Sequence, residues 1–204
     1  NAFLSPLFQD LAWDLLMQDE YEDLRNCIYT TADEFKHFRQ LVVNTVLATD
    51  IFDKDLSALR KNRWIKAFTD KSTSEDSDDD ESPTDVADRK ATIVIEHMIQ
   101  ASDVSHTMQH WDCYRQWNKK LFYELYLSFK SGRTELDPSV GWYKGELWFF
   151  DNYVIPLAKK LKDCGVFGVC SDECLVYALD NRSMWEMHGE SIVEEMLSTD
   201  YFQT

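Results

Sequence analysis

Residues 91–120, ATIVIEHMIQASDVSHTMQHWDCYRQWNKK, decide the fold of this chain. Apolar residues recur here every three or four positions, which predicts a helix that ends near Asp103. Its predicted buried face consists of Ala91, Val94, Ile95, Met98 and Ile99. A second stripe with the same period predicts another helix, with Tyr114, Trp117, Leu121, Phe122 and Leu125 on it. We therefore expect two helices joined by a short turn.

Helical patterns continue through the rest of the chain. Thr31 and Glu34 have the spacing of a capping box, in which each side chain bonds to a free amide at the start of a helix. Residues 142–162 read as a long aromatic helix with a kink at Pro156, and residues 174–187 and 190–197 read as two closing helices. No segment shows sustained alternation of apolar and polar residues, so we predict an all-α fold.

Composition and charge limit the classes of function. Apolar residues make up 44% of the 204 positions and aromatic residues 14%, which is typical of a globular core. The net charge of −16 argues against a nucleic-acid-binding surface, since phosphates would be repelled. No stretch reaches the ~18 uncharged apolar residues of a membrane span, so we expect no membrane contact from this segment. Nothing resembles a signal peptide.

The cysteines favour a reducing compartment. They number five, at Cys27, Cys113, Cys164, Cys170 and Cys174, and none forms a CxxC pair. Cys170 and Cys174 have the i,i+4 spacing of two zinc ligands, but small core residues are the commoner reading. We expect the chain to be cytoplasmic, or to lie on the cytoplasmic side of a membrane-anchored parent.

Residues 70–85, DKSTSEDSDDDESPTD, contain a dense run of carboxylates. Such a segment cannot bury enough apolar area to offset its ordering entropy, so we predict a disordered loop. Ser74 and Ser77 precede acidic residues and are candidate phosphorylation sites, although a merely solvated insertion is the simpler reading. The helical segments 1–69 and 86–198 have matching character, so we expect the loop to interrupt one domain.

Asp103 is the strongest candidate for chemistry in residues 91–120. A charged carboxylate at the end of a mostly buried helix is costly unless it has a cation, a metal or several hydrogen-bond donors. The alternative is a helix-end carboxylate that pairs with an arginine or caps the next helix. His106 and His110 have i,i+4 spacing that could also serve a metal.

Five short motifs in this order carry a resemblance to a known family. They are ATD at 48–50, ASDVSH at 101–106, YRQW at 114–117, ELWFFDNYVIP at 146–156 and LDNR at 179–182. Each is weak alone, but their order and spacing resemble the C-terminal part of class I cyclic nucleotide phosphodiesterases over about residues 10–188. The resemblance implies a multi-helix HD-type domain that hydrolyses 3′,5′-cyclic nucleotides to nucleoside 5′-monophosphates.

The resemblance also implies a two-metal reaction. Zn²⁺ with Mg²⁺ or Mn²⁺ would bridge a hydroxide that attacks phosphorus, and a histidine acid would protonate the leaving oxygen. Asp103 matches the aspartate of the family that binds the zinc-like ion, and His106 matches a position beside the nucleotide. The catalytic histidine and two other ligands belong to HN-x-x-HA and HD-x-x-HPG segments, which none of the five histidines matches.

Glu146 stands where relatives use a glutamine to hold the purine edge, and Phe149 matches the aromatic residue that stacks on the base. An ionised carboxylate only accepts hydrogen bonds, whereas guanine presents two donors and adenine an acceptor at N1. We therefore expect cGMP to be favoured over cAMP. The alternative is a solvated glutamate beside Lys144.

The resemblance also implies further pocket residues. Predicted lining residues are Ile51, Val104, Leu121 and Phe122. Tyr114 and Trp117 are predicted to support the pocket, although ordinary core packing explains both equally well.

Three hypotheses remain at this point. The chain is the C-terminal half of a phosphodiesterase domain, inactive alone and completed by an upstream half, with a cyclic nucleotide as its substrate. Alternatively it is a non-catalytic helical module that binds a nucleotide or a protein, or an incomplete gene product. Because truncation would expose apolar surface, a second copy of the chain is a further candidate partner.

Overall fold

The computed structural model describes residues 11–50, 54–69 and 83–198. Helix α1 covers residues 11–16 and is followed by α2, α3 and α4 at Glu22–Ile28, Ala32–Ala48 and Lys54–Trp64. The later helices are α5 (Pro83–Asp103), α6 (Trp111–Lys130), α7 (Trp142–Phe149), α8 (Ile155–Asp163) and α9 (Glu173–Ser198). None of the described residues forms a strand, which confirms the predicted all-α fold. No described helix is long and apolar enough to cross a membrane.

The chain divides into two compact units, unit 1 (Asn1–Asp103) and unit 2 (Val104–Thr204). This division lies inside the segment 86–198 that we expected to be continuous. The three predicted segments and their assignment to one domain stay predictions. Most of the acidic loop lies outside the described residues, but α5 begins at Pro83, so the last three residues of the predicted loop 70–85 are helical.

In unit 1, α3 and α4 both pack against α5. The capping box at Thr31 and Glu34 is present at the start of α3, as predicted. At the other end, the buried Arg60 donates hydrogen bonds to the carbonyls of Leu47, Ala48 and Asp50. The last carbonyls of a helix have no partner within the helix, so Arg60 stabilises this end of α3.

In unit 2, α9 packs against α6, α7 and α8. It is one helix, so the two closing helices that we predicted around Gly189 are wrong. The cause is packing: a Cβ at Gly189 would come within 2.8 Å of the Trp185 and Tyr143 rings. Gly189 thus permits a close approach to Tyr143 without ending the helix.

The predicted long aromatic helix is also present, as α7 and α8 joined by a π-helical segment at Phe150–Val154. Pro156 lies at the start of α8. Proline has no N–H to continue the hydrogen-bond ladder, which accounts for the irregularity that precedes it.

Candidate functional site

Glu146 on α7 is a buried carboxyl, with 9% of its surface exposed. The Tyr114 hydroxyl on α6 donates a hydrogen bond of 2.7 Å to its Oε2. No lysine or arginine among the described residues contributes to its environment as an ion-pair partner. The sequence alternative of a solvated glutamate beside Lys144 is therefore wrong, because Glu146 is buried and bonded to Tyr114.

Two further side chains extend this contact into a chain of hydrogen bonds. The Asn118 Nδ2 lies 3.3 Å from the Tyr114 hydroxyl, and the Trp142 Nε1 lies 3.2 Å from the Asn118 Oδ1. Asn118 sits one turn after Tyr114 on α6, and Trp142 sits one turn before Glu146 on α7. The i,i+4 spacing on both helices therefore places the four groups together.

Burial changes the acid–base behaviour of this cluster. It raises the pKa of Glu146 to about 7, against the opposing effect of hydrogen bonds from Tyr114 and Asn118. Burial, together with the charge and the hydrogen bond of Glu146, raises the pKa of the Tyr114 phenol well above its ordinary value. Near neutral pH the Glu146 carboxyl can thus be either a pure acceptor or a donor and acceptor, depending on its proton.

Aromatic rings enclose Tyr114. Phe150 and Trp185 meet its ring edge-on, with centroids 5.3 and 5.8 Å away. His106 lies parallel to it at 6.3 Å. The apolar surroundings exclude water from the Tyr114 ring and explain why the Glu146 carboxyl is desolvated.

Asn181 and Arg182 on α9 hold the segments around this cluster. The buried Asn181 Nδ2 donates to the carbonyls of Thr107 and Gln109, and so fixes the turn Ser105–Met108 that carries His106. Arg182 forms two hydrogen bonds with Asp151 in the π-helical segment, at 3.0 and 3.2 Å. Both residues belong to the LDNR motif, so the structure gives that motif a scaffolding role.

The predicted pocket residues fall into different environments. Phe149 is half-buried and stacks on Tyr153, with its ring one helical turn from Glu146. Trp117 and Leu121 are exposed, at 52% and 38%, and continue the stripe that begins at the buried Tyr114.

Other predicted lining residues lie in the core or outside the described part of the chain. Phe122 is completely buried and packs against Trp142, where we predicted a ligand contact. A side chain without exposed surface cannot touch a ligand in this conformation. Val104 is buried as well, and Ile51 lies outside the described residues.

Asp103 is the last residue of α5, as predicted, but its side chain is exposed. The argument that burial forces it to find a cation is therefore wrong, and its metal role stays a prediction. Within residues 11–50, 54–69 and 83–198, no group of three or more His, Cys, Asp or Glu side chains could hold an ion. The described residues do not by themselves fit a two-metal centre, since one carboxylate cannot hold two ions.

The other metal candidates have local roles. The His110 ring accepts a hydrogen bond from the Asp112 amide at the start of α6, which is a helix cap. Cys170 is exposed, whereas Cys174 is partly buried, and burial raises the pKa of the Cys174 thiol. A raised pKa disfavours the thiolate that binds metal.

Sequence reasoning missed Asn118, Trp142 and Asn181 as site residues. Asn118 could have been found, because an amide at i+4 from Tyr114 lies inside a predicted apolar helix and needs a partner there. The partners of Asn181 could not have been found from the sequence, since Thr107 and Gln109 are more than seventy positions away.

Comparisons with known proteins now identify the family. The family model for 3′5′-cyclic nucleotide phosphodiesterase matches residues 9–166, which is more than half of the chain. The chain belongs to the 3′5′-cyclic nucleotide phosphodiesterase family. This confirms the resemblance, and the motif residues on α5, α6 and α7 lie within the matched range.

A solved structure supports the same fold. The chain is similar to the phosphodiesterase domain of the Salpingoeca rosetta rhodopsin phosphodiesterase, with 16% sequence identity and a TM-score of 0.67. The match covers 94% of this chain and 56% of that one, so this chain spans little more than half the length of its structural relative. None of the curated proteins matches the sequence significantly.

Proposed function

We propose that this chain forms the purine-binding part of a domain that hydrolyses 3′,5′-cyclic nucleotides in signal transduction, and that it favours cGMP over cAMP. The observation that carries the proposal is the buried Glu146 carboxyl with Tyr114 bonded to it. Family membership supplies the reaction class, hydrolysis of a cyclic phosphodiester. The preference for one base over the other depends on the hydrogen-bonding capacity of Glu146.

Glu146 would contact the edge of the purine. Its Oε2 accepts from Tyr114, so the carboxyl retains acceptor capacity for a ligand. The N1–H and exocyclic amine of guanine are donors that suit a carboxylate, whereas N1 of adenine is an acceptor that would face it. Phe149, one turn along the same helix, would lie against the base, and Trp117 and Leu121 would provide exposed apolar surface beside Tyr114.

We further propose that residues outside this chain supply the remaining metal ligands and the histidine acid. Asp103 would contribute one carboxylate to a centre of Zn²⁺ with Mg²⁺ or Mn²⁺, with His106 beside the nucleotide. The 56% coverage of the structural relative supports a partial domain. We also propose a cytoplasmic location, which the free cysteines of the described residues support.

The first test is a hydrolysis assay on the purified 204-residue chain with Zn²⁺ and Mg²⁺. We expect no turnover of cAMP or cGMP, because one carboxylate cannot position two ions. Addition of the missing segment, expressed separately or fused in front of the chain, should restore turnover. Clear hydrolysis by the chain alone would contradict the missing-ligand proposal.

The second test concerns the base. In an active domain that contains this chain, Glu146→Gln should reduce the preference for cGMP over cAMP, because an amide can both donate and accept. The matched control is Glu190→Gln, an exposed glutamate on α9, which should leave the preference unchanged. An unaltered preference in Glu146→Gln would contradict the assignment and favour a non-catalytic nucleotide- or protein-binding module.

A further inference from the structure

The hydrogen bonds that end on Glu146 have a fixed direction. An indole N–H can only donate, so Trp142 requires an acceptor, and the Asn118 Oδ1 lies 3.2 Å from it. With its oxygen bonded to Trp142, Asn118 presents its amide N–H to the Tyr114 oxygen at 3.3 Å. The Tyr114 oxygen then accepts from Asn118, and its own proton points to Glu146 at 2.7 Å.

We define the relay as the side chains of Trp142, Asn118 and Tyr114. Packing holds each of the three in place. Tyr114 and Asn118 are almost completely buried, and Trp142 packs edge-on against the buried Phe122. Reversal of the relay would set the indole N–H against the amide N–H of Asn118. The buried Asn118 amide and the partly buried Trp142 indole would then lack acceptors, and an unsatisfied buried donor costs more than a hydrogen bond contributes.

We propose that Trp142 and Asn118 are positioning residues, which fix the Tyr114 hydroxyl as a donor to Glu146 and so keep this carboxyl an acceptor toward a bound base. The last step rests on the proposed function, whereas the orientation of Tyr114 does not. Neither Trp142 nor Asn118 needs to touch the ligand. Trp142 acts through Asn118, and Asn118 acts on Glu146 both through Tyr114 and by its own hydrogen bond to the carboxyl.

Burial and the relay have opposite effects on the Glu146 proton. Burial raises the pKa of Glu146 and favours the neutral carboxyl, whereas the Tyr114 and Asn118 hydrogen bonds favour the ionised one. Tyr114 is itself titratable, but its pKa is raised, so it remains protonated and can donate throughout the neutral range. Loss of the relay should therefore shift Glu146 toward its neutral form, which also donates.

The test is a carbon-13 NMR titration of the glutamate carboxyls in the full 204-residue chain between about pH 4.5 and 9, with Glu146→Gln to assign the signal. In the wild type, the Trp142 indole and the Asn118 side-chain amide resonances should titrate with the same midpoint as Glu146. In Trp142→Phe the Glu146 midpoint should rise by about half a unit to one unit, the size expected for one hydrogen bond. In Asn118→Leu, which also removes the hydrogen bond from Asn118 to the carboxyl, it should rise by more. Trp148→Phe, on the same helix but 62% exposed, is the matched control and should leave the midpoint unchanged.

Several results would overturn the proposal. They are indole and amide signals that do not follow Glu146 in the wild type, an unchanged midpoint in a folded relay variant, or an equal rise in Trp148→Phe. The wild-type measurement decides the matter even if both relay variants fail to fold.

Titration of an active domain that contains this chain with cGMP and cAMP separates this inference from the proposed function. Relay variants that bind cGMP with a reduced preference over cAMP support both. Shifted midpoints without nucleotide binding leave the relay standing and reject the base assignment. Preferential cGMP binding with unshifted midpoints rejects the relay alone.

Discussion

Unit 1 and unit 2 each bury a glutamate, and they satisfy it differently. In unit 1 the Glu96 side chain is 3% exposed and forms an ion pair with Arg63 at 2.9 Å. In unit 2 Glu146 is also buried but receives only neutral hydrogen bonds from the described residues, and its pKa is raised to about 7. A buried carboxylate with its own cation is typical of a structural contact, whereas one without a cation is a candidate for function.

The largest expected effect is on the free energy of unfolding, which the buried carboxyl of Glu146 lowers when it is ionised. Its pKa is raised in the folded chain, so the folded state binds more protons than the unfolded state between about pH 4.5 and 7. Stability should therefore fall as pH rises through this window and then level off. Glu146→Gln removes the titration, so it should stabilise the chain on the order of 3 kcal/mol at pH 8 and much less at pH 5.

Urea unfolding at pH 5 and pH 8 measures this difference. Glu96→Gln is the matched control, and it should destabilise the chain at pH 8 because it removes an ion pair. If Glu146→Gln and Glu96→Gln change the free energy of unfolding at pH 8 in the same direction, the proposed difference between the two buried glutamates is wrong.

The second prediction concerns the loss of the Arg63–Glu96 ion pair in unit 1. Arg63→Met leaves the buried Glu96 carboxylate without its cation and should cost about 2 kcal/mol in the free energy of unfolding. Lys119→Met, which removes an exposed pair with Glu195 at 3.9 Å, should cost close to zero and serves as control. Equal costs for the two substitutions would show that burial of Glu96 does not strengthen its contact with Arg63.

The third and smallest prediction extends the contrast to ligands. Below about pH 7 Glu146 is increasingly protonated and can donate to adenine N1, so the preference for cGMP over cAMP should weaken as pH falls. A change of roughly fivefold to tenfold in the affinity ratio between pH 8 and pH 6 is expected, the worth of about one hydrogen bond. NMR-detected binding of both nucleotides measures it, with Glu146→Gln, whose ratio should not vary with pH, as the control.

Much of the fold could be predicted from the sequence because local patterns determine helices. The capping box at Thr31, the end of α5 at Asp103 and the long helix around Pro156 all follow from nearby residues. The continuity of α9 through Gly189 could not be predicted, since the close packing that this glycine permits against Tyr143 is a contact between distant residues.

The candidate site was only partly predictable. The family resemblance identified Glu146 and Tyr114, but their hydrogen bond joins positions 32 residues apart. The lack of a cation among the described neighbours of Glu146 is likewise a tertiary property. The exposure of Asp103 and the burial of Phe122 likewise depend on how helices pack, which residue type does not determine.

Asn181 and Arg182 are neighbours in sequence, and side chains of adjacent helical residues diverge by about 100°. One of them therefore reaches the turn before α6 and the other reaches the π-helical segment after α7. A single-residue insertion between them would turn one side chain by about 100° relative to the other, so the two sets of contacts could not both form. The directions of these two adjacent side chains on α9 thus fix two otherwise separate parts of unit 2 relative to one another.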